Sequence, residues 1–300
     1  MKKNRIGQSA LLVGEIGLGC MSLGTEEGKA VGLIHEALDQ GVNLLDTSDL
    51  YDGGRNEEIV GQAIRGRRES VILATKVGNR RIPGQDGWVW DPSREYILSA
   101  VKESLKRLGT DYIDLYQLHG GTLDDPIDET IEAFEQLKRE GVIREYGISS
   151  IRPNVIREYA ARSAIVSVMN PYSIVDRRAE ETVIPLLQEN GISIIARGPL
   201  AGGSLAANRQ PVKGFLDYEL TELVALREQL HALENAGRSL TSLAIRYSLS
   251  HPAVAVAIPG ASSPEQLVQN LKAADVPELS EEEVKLIRSL SKPNRYSQHR

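Results

Sequence analysis

The sequence predicts a closed parallel (β/α)8 barrel of the TIM type with an N-terminal β-hairpin ahead of it. Three observations carry this prediction. Eight short apolar runs rich in β-branched residues alternate with longer segments of helical period. No polar linker, low-complexity tract or charge run interrupts the series, whereas two doubly wound domains would show a polar connection near the middle. Asp46, Lys76, His119 and Ser149 each follow a different apolar run, where a barrel would gather them at one mouth.

The elements follow in order. Residues 5–13 form two short extended pieces around Gly7-Gln8-Ser9, and glycine supplies the backbone angles that a hairpin turn needs. The strands are expected at 15–18, 42–45, 71–75, 113–118, 145–148, 165–168, 192–196 and 254–258. Between them, Ile97, Val101, Leu105 and Leu108 recur at helical spacing in 94–108, and Ile131, Phe134 and Leu137 do so in 131–140. Residues 240–249 and 264–274 continue the series, and Ser280 with Glu283 resembles a capping box that opens a final helix. Residues 1–300 are expected to form one domain.

Composition narrows the function. With 300 residues, 41% of them hydrophobic and 25% charged, the chain can bury a substantial core. A formal net charge of -6 argues against broad nucleic-acid or anionic-membrane binding, because a polyanion gains nothing from an acidic surface. One cysteine excludes an intramolecular disulfide, and the first residues hold no apolar run of signal-peptide or spanning length, so a cytoplasmic protein is expected. Gly17-Leu18-Gly19 is followed by Cys20-Met21-Ser22, so the third glycine of the usual dinucleotide fingerprint is missing. No metal is assigned.

Taken singly, the polar residues at the strand ends are ambiguous. Asp46 can be a turn or capping carboxylate, Tyr51 a packed aromatic and His119 a hydrogen-bonded structural histidine. Lys76 is harder to dismiss. It ends the run Val71-Ile72-Leu73-Ala74-Thr75, so its ammonium needs a carboxylate, and Asp46 is the natural partner.

The segments Leu45-Asp46-Thr47-Ser48-Asp49-Leu50-Tyr51, Ala74-Thr75-Lys76 and Tyr116-Gln117-Leu118-His119 resemble successive signatures of the aldo-keto reductases. Gly147-Ile148-Ser149-Ser150, Asn170-Pro171-Tyr172-Ser173, the run from Ala196 to Gly203 and the run from Ile258 to Leu267 match in the same order, and Arg197-Gly198-Pro199-Leu200 is similar to one bacterial branch. The resemblance implies a barrel with a nicotinamide dinucleotide at its carboxyl mouth and a catalytic set of Asp46, Tyr51, Lys76 and His119. Tyr51 would donate the proton, Lys76 would stabilise the phenolate left behind, Asp46 would keep Lys76 charged, and His119 would hold the carbonyl oxygen.

The resemblance also implies a cofactor cradle. Ser149 corresponds to the serine that binds the carboxamide, with Asn170 and Met21 beside it, although Ser150 and Met169 stand where asparagine and glutamine are usual. Arg197 replaces an aromatic residue that stacks on the nicotinamide; it would stack, contact the pyrophosphate or form a surface ion pair. Gly198, Pro199, Leu200 and Gly202 form a small loop that phosphate can approach, and Pro264 opens a helix whose amino end favours an anion. A plain glycine-rich loop is the competing reading. Gly260, Ser262 and Gln266 would receive the adenosine ribose, and Asn270 would reach the adenine. That loop lacks the Lys or Arg that commonly fixes a 2′-phosphate, yet hydroxyls and backbone amides can hold one, so NADPH is preferred to NADH.

Cys20, Trp88 and Trp90 are expected to wall the substrate, a small carbonyl compound with an aromatic or aliphatic body. Two rivals are weighed: a barrel aldolase with a Schiff base on Lys76, and a non-catalytic module that senses nicotinamide redox state. The aldolase needs a neutral amine, which a neighbouring Asp46 opposes.

Overall fold

The computed structural model describes residues 1–82, 84, 86–234 and 237–300. A hairpin of β1 (Lys3–Arg5) and β2 (Leu12–Gly14) comes first, antiparallel, with Asn4 opposite Val13. Next come β3 (Leu18–Gly19), α1 (Glu27–Asp39), β4 (Leu44–Asp46), α2 (Arg55–Ala63) and β5 (Ile72–Val77). A two-stranded excursion, β6 (Asn79–Arg80) and β7 (Val89–Trp90), precedes α3 (Arg94–Leu108). The alternation resumes with β8 (Ile113–Leu118), α4 (Ile127–Arg139), β9 (Ile143–Ser149), α5 (Pro153–Arg162), β10 (Ser167–Pro171), α6 (Val183–Glu189) and β11 (Ser193–Arg197). The chain ends through α7 (Leu220–His231), α8 (Leu240–Ser248), β12 (Val254–Ile258), α9 (Pro264–Leu271) and α10 (Glu281–Leu290). Among the described residues no helix is long and apolar enough to cross a membrane.

Eight of the strands form one parallel sheet in the order β12-β11-β10-β9-β8-β5-β4-β3. Parallel bridges from Ile16 to Ala257 and from Gly19 to Gly260 bring its ends together, so the sheet closes into a barrel. The strand bounds at 113–118 and 254–258 are as expected; most of the others lie one to three residues further along, with β9 extended at both ends. The shift changes where the polar residues sit. Asp46 and Ser149 are the last residues of their strands, Lys76 is the fifth of six in β5, and His119 follows β8.

Two inner clusters organise the molecule. Ile6, Leu11 and Val13 of the hairpin pack on Leu44, Ala74, Leu115, Val166 and Ile195, so β1 and β2 plug the amino end of the barrel. Gly7 makes this possible: at φ 51° it turns the chain where a Cβ would lie 2.4 Å from the Val166 carbonyl oxygen. The second cluster lies between barrel and helices. There α3 buries Ile97, Val101 and Leu108, starts on Ser93, whose hydroxyl accepts from the Tyr96 amide, and stops at Gly109 in the left-handed region. The expected capping box on α10 is present, with Ser280 and Glu283 satisfying each other's backbone amides.

With the amino end plugged, the open end is the carboxyl one. The β6–β7 hairpin lies over it, the Trp90 ring passing so close to Gly78 and Gly120 that a Cβ there would fall 2.5 and 3.1 Å from it. Of the loop 82–92, positions 83 and 85 lie outside the described residues.

Candidate active site

The carboxyl mouth opens into a cavity of about 1240 Å³. Asp46, Tyr51 and His119 line it, and Lys76 stands behind them, fully buried. Strand register explains the gathering: Asp46 pairs with Ala74, and Lys76 pairs with Gln117, two residues short of His119.

Lys76 fixes the arrangement. Its Nζ donates to Asp46 Oδ2 at 2.7 Å, to the Thr47 carbonyl at 2.7 Å and to Tyr51 Oη at 3.2 Å. An ammonium has three protons, so all of them are committed. Because Tyr51 Oη accepts from Lys76, its own proton is left to point into the cavity. Gln117 Nε2 reaches Asp46 Oδ1 at 3.4 Å from the other side.

Burial dominates the electrostatics. It raises the Asp46 carboxyl, with Lys76 and Gln117 opposing. It works against the Lys76 charge, but Asp46 and Tyr51 together hold the ammonium above the ordinary lysine range. At Tyr51 burial wins over the cations, and the phenol lies above its usual value while Lys76 and Arg197 pull it down. Tyr51 therefore carries its proton throughout the neutral range. His119 is pushed down to about 3, by burial first and then by Lys76 and Arg197, and is neutral. Its ring meets that of Tyr51 edge-on at 6.0 Å.

The cofactor candidates fall on one wall. Arg197 ends β11 and Gly198, Pro199, Leu200 and Gly202 follow it, while Gly260, Ser262, Gln266 and Asn270 follow β12; all nine line the cavity, as do Met21 and Ser149. Gly198 and Gly202 have positive φ and open space where a Cβ would stand. Ser262 donates from its amide and hydroxyl to Gln266 Oε1 at 2.9 and 3.0 Å, and Asn270 holds the Gly260 carbonyl at 3.1 Å. Arg197 and Arg209 both line the cavity, and among the described residues neither has a carboxylate partner, because Asp176 on the same wall is held by Arg178. A pair of free guanidiniums beside an open glycine loop fits an extended dinucleotide with a pyrophosphate.

Two expectations are corrected. Cys20 does not wall the cavity: it is fully buried, its Sγ directed at the Leu18 carbonyl, and burial pushes its thiol up. Asn170 does not line the cavity either. Its amide nitrogen donates to the Ser150 carbonyl at 2.7 Å and its oxygen accepts from Tyr296, so it braces the Ser149-Ser150 turn from behind. Trp88 and Trp90 do line the mouth, Trp90 anchored through Nε1 to Asp125 Oδ1 at 2.9 Å.

Sequence reasoning also missed lining residues: Arg152, Asp176, Arg178, Arg209 and Thr241. They lie outside the strand-end signatures, and only folding brings them to the mouth. Ser48, which does not line the cavity but reaches His119 Nδ1 at 3.2 Å, and Asp49 beside it sit inside the segment from Leu45 to Tyr51.

A model of the aldo/keto reductase family matches residues 15–292. The chain belongs to the aldo/keto reductase family. It is 54% identical, over all of both chains, to an uncharacterised oxidoreductase of Bacillus subtilis, YqkF. The holo form of the aldo-keto reductase AKR11C1 from Bacillus halodurans superposes on it with a TM-score of 0.96 at 56% identity, covering 100% of this chain and 99% of that one. An aldo/keto reductase from Klebsiella pneumoniae, in complex with NADP and acetate, does so with a TM-score of 0.80 at 29% identity, over 100% and 99%. This aldo/keto reductase is an NAD(P)H-dependent oxidoreductase of small carbonyl compounds.

Proposed function

We propose that residues 1–300 act as one unit that reduces aldehydes or ketones to alcohols with NADPH, and that Tyr51 is the proton donor. One observation carries the reading: Lys76 commits its protons to Asp46, Thr47 and Tyr51, which leaves the Tyr51 proton facing a large cavity beside His119. When bound, the nicotinamide supplies the hydride that the carbonyl carbon receives.

The chain's own groups do the rest. Tyr51 gives its proton to the carbonyl oxygen as negative charge grows there, and the Lys76 ammonium, already 3.2 Å away, stabilises the phenolate left behind. Asp46 keeps Lys76 protonated. His119 holds the same oxygen by a second hydrogen bond. Trp88, Trp90, Met21 and Leu50 give the substrate an apolar wall, suited to aromatic and aliphatic bodies. Arg197 and Arg209 hold the pyrophosphate, Gly198 and Gly202 let it approach, Ser149 receives the carboxamide, and Asn270 keeps the Gly260 loop in place.

NADPH is favoured over NADH because Ser262 occupies only the oxygen of Gln266, so the Gln266 amide keeps its two protons for a 2′-phosphate beside the amino end of α9. The aldolase rival is disfavoured, since a Lys76 whose protons are all engaged is not a nucleophile.

The test is cofactor oxidation followed by absorbance, with NADPH and NADH side by side against an aromatic and an aliphatic aldehyde. Faster loss of NADPH than NADH with either aldehyde supports the reading. Equal or faster use of NADH overturns the cofactor preference, and no turnover with either cofactor favours the sensing module.

A further inference from the structure

Ser48 and Asp49 sit beside His119 and have no part in the chemistry above. Ser48 Oγ lies 3.2 Å from His119 Nδ1 and 3.2 Å from Asp49 Oδ1, and it accepts from the Leu50 amide at 3.1 Å. Ser48 is fully buried, and Asp49 is partly buried beneath it. Among the described residues His119 Nε2 has no protein partner, and the ring lines the cavity. A neutral imidazole carries a single N–H, so whichever nitrogen holds it leaves the other as an acceptor.

The hydroxyl of Ser48 has one proton for two neighbours. If Asp49 is ionised, Ser48 must donate to it and accept from Nδ1–H, so Nε2 meets the cavity as a lone pair. If Asp49 is protonated, its O–H donates to Ser48, Ser48 donates to Nδ1, and Nε2 carries the proton into the cavity. Ionisation releases one proton to solvent, while the imidazole proton moves from Nε2 to Nδ1 and the ring stays neutral.

We propose that Ser48 and Asp49 form a relay that sets which nitrogen of His119 is protonated, and so sets whether His119 can donate to the reacting oxygen. The inference rests on the reading in which His119 faces the reacting oxygen. The carbonyl oxygen needs a second donor beside Tyr51, which Nε2–H supplies and the bare Nε2 does not; alcohol oxidation is the same path reversed, with the Tyr51 phenolate taking the O–H proton, so one tautomer serves both directions. Asp49 is raised to about 7, by burial first and then by Glu57 of α2, with Ser48, Arg107 of α3 and the Leu50 amide opposing. Its charge also reaches Tyr96 of α3 and Tyr116 of β8. His119 itself faces Lys76 of β5 and Arg197 of β11, both cations, and so stays neutral across the same range.

The experiment is nitrogen NMR of the full, uniformly 15N-labelled chain, with the His119 signals assigned by their loss in His119→Gln. Between about pH 5.5 and about pH 8.5 the wild type is expected to invert from the Nε2–H to the Nδ1–H tautomer. Asp49→Asn, whose amide does not titrate, is expected to hold a single tautomer at every pH. Ser48→Ala, which cuts the relay, is expected to lose the inversion. One tautomer at every pH in the wild type, or an inversion kept in Asp49→Asn or in Ser48→Ala, overturns the proposal. The same proteins then give pH profiles. Wild-type kcat for reduction is expected to fall roughly tenfold as pH rises through the inversion, while Asp49→Asn stays level. Superimposable wild-type and Asp49→Asn profiles overturn the link to catalysis, whereas inversion with no turnover of any aldehyde leaves the relay standing and removes the reductase reading.

Discussion

Lys76 illustrates how one side chain decides the chemistry available at a mouth. Buried without partners, its ammonium would lose its proton; with Asp46, Thr47 and Tyr51 around it, it stays charged and holds the phenol by the oxygen. Lys76→Met is expected to lower kcat by ~100- to 10,000-fold, because the phenolate formed on proton transfer then has no cation beside it. It also leaves Asp46 buried and unpaired, so that carboxyl is expected to become protonated. Lys76→Met combined with Asp46→Asn should therefore be more stable to heat than Lys76→Met alone, and an equal or lower melting temperature would contradict the pairing. The pH sign at His119 follows from its depressed value: its ring takes up a proton only near about pH 3, so no activity change at neutral pH is assigned to its ionisation.

At the scale of the element, residues bury their neighbours through geometry that one atom can break. Where α2 crosses α3, a Cβ on Gly61 would lie 2.6 Å from the Leu108 carbonyl oxygen and 2.7 Å from that of Arg107. Gly61→Ala must push the two helices apart and is expected to cost about 1–3 kcal/mol in denaturant unfolding, with kcat unchanged. Ser280→Ala removes one half of the α10 capping box and is expected to cost about 1 kcal/mol. Elements with strong local signals were legible in the sequence. The apolar stripe of α3, the Gly7 turn of the hairpin and the α10 cap each follow from neighbours within a few residues. The β6–β7 hairpin was not, because Asn79 and Trp90 pair across a loop without alternation.

At the scale of the molecule, the barrel separates stability from chemistry. The amino end is closed by β1 and β2 and crossed by an ion pair between Glu15 and Arg246, which meet at 2.9 Å with both side chains only 5% exposed. Glu15→Gln strands the Arg246 charge and is expected to cost about 3–5 kcal/mol while leaving KM for the aldehyde unchanged, since this pair lies at the end opposite the mouth; a raised KM would show that the two ends are coupled. The carboxyl end gathers its groups from separate strands. Asp46, Lys76, His119 and Ser149 were legible there because each ends an apolar run. Asn170 and Cys20 were misplaced because position in the chain does not reveal which way a side chain turns: one faces Ser150 and Tyr296, the other the Leu18 carbonyl. Arg209 and Arg152 went unseen because only the closed barrel brings their loops to the cavity.

The central claim is that Tyr51 donates the proton, and Tyr51→Phe tests it with one atom removed. Turnover of an aldehyde with NADPH is expected to fall by ~100- to 10,000-fold, while NADPH binding, followed by fluorescence titration, stays within about twofold of the wild type. A Tyr51→Phe protein that keeps its turnover, or that loses it only because NADPH no longer binds, would contradict the account.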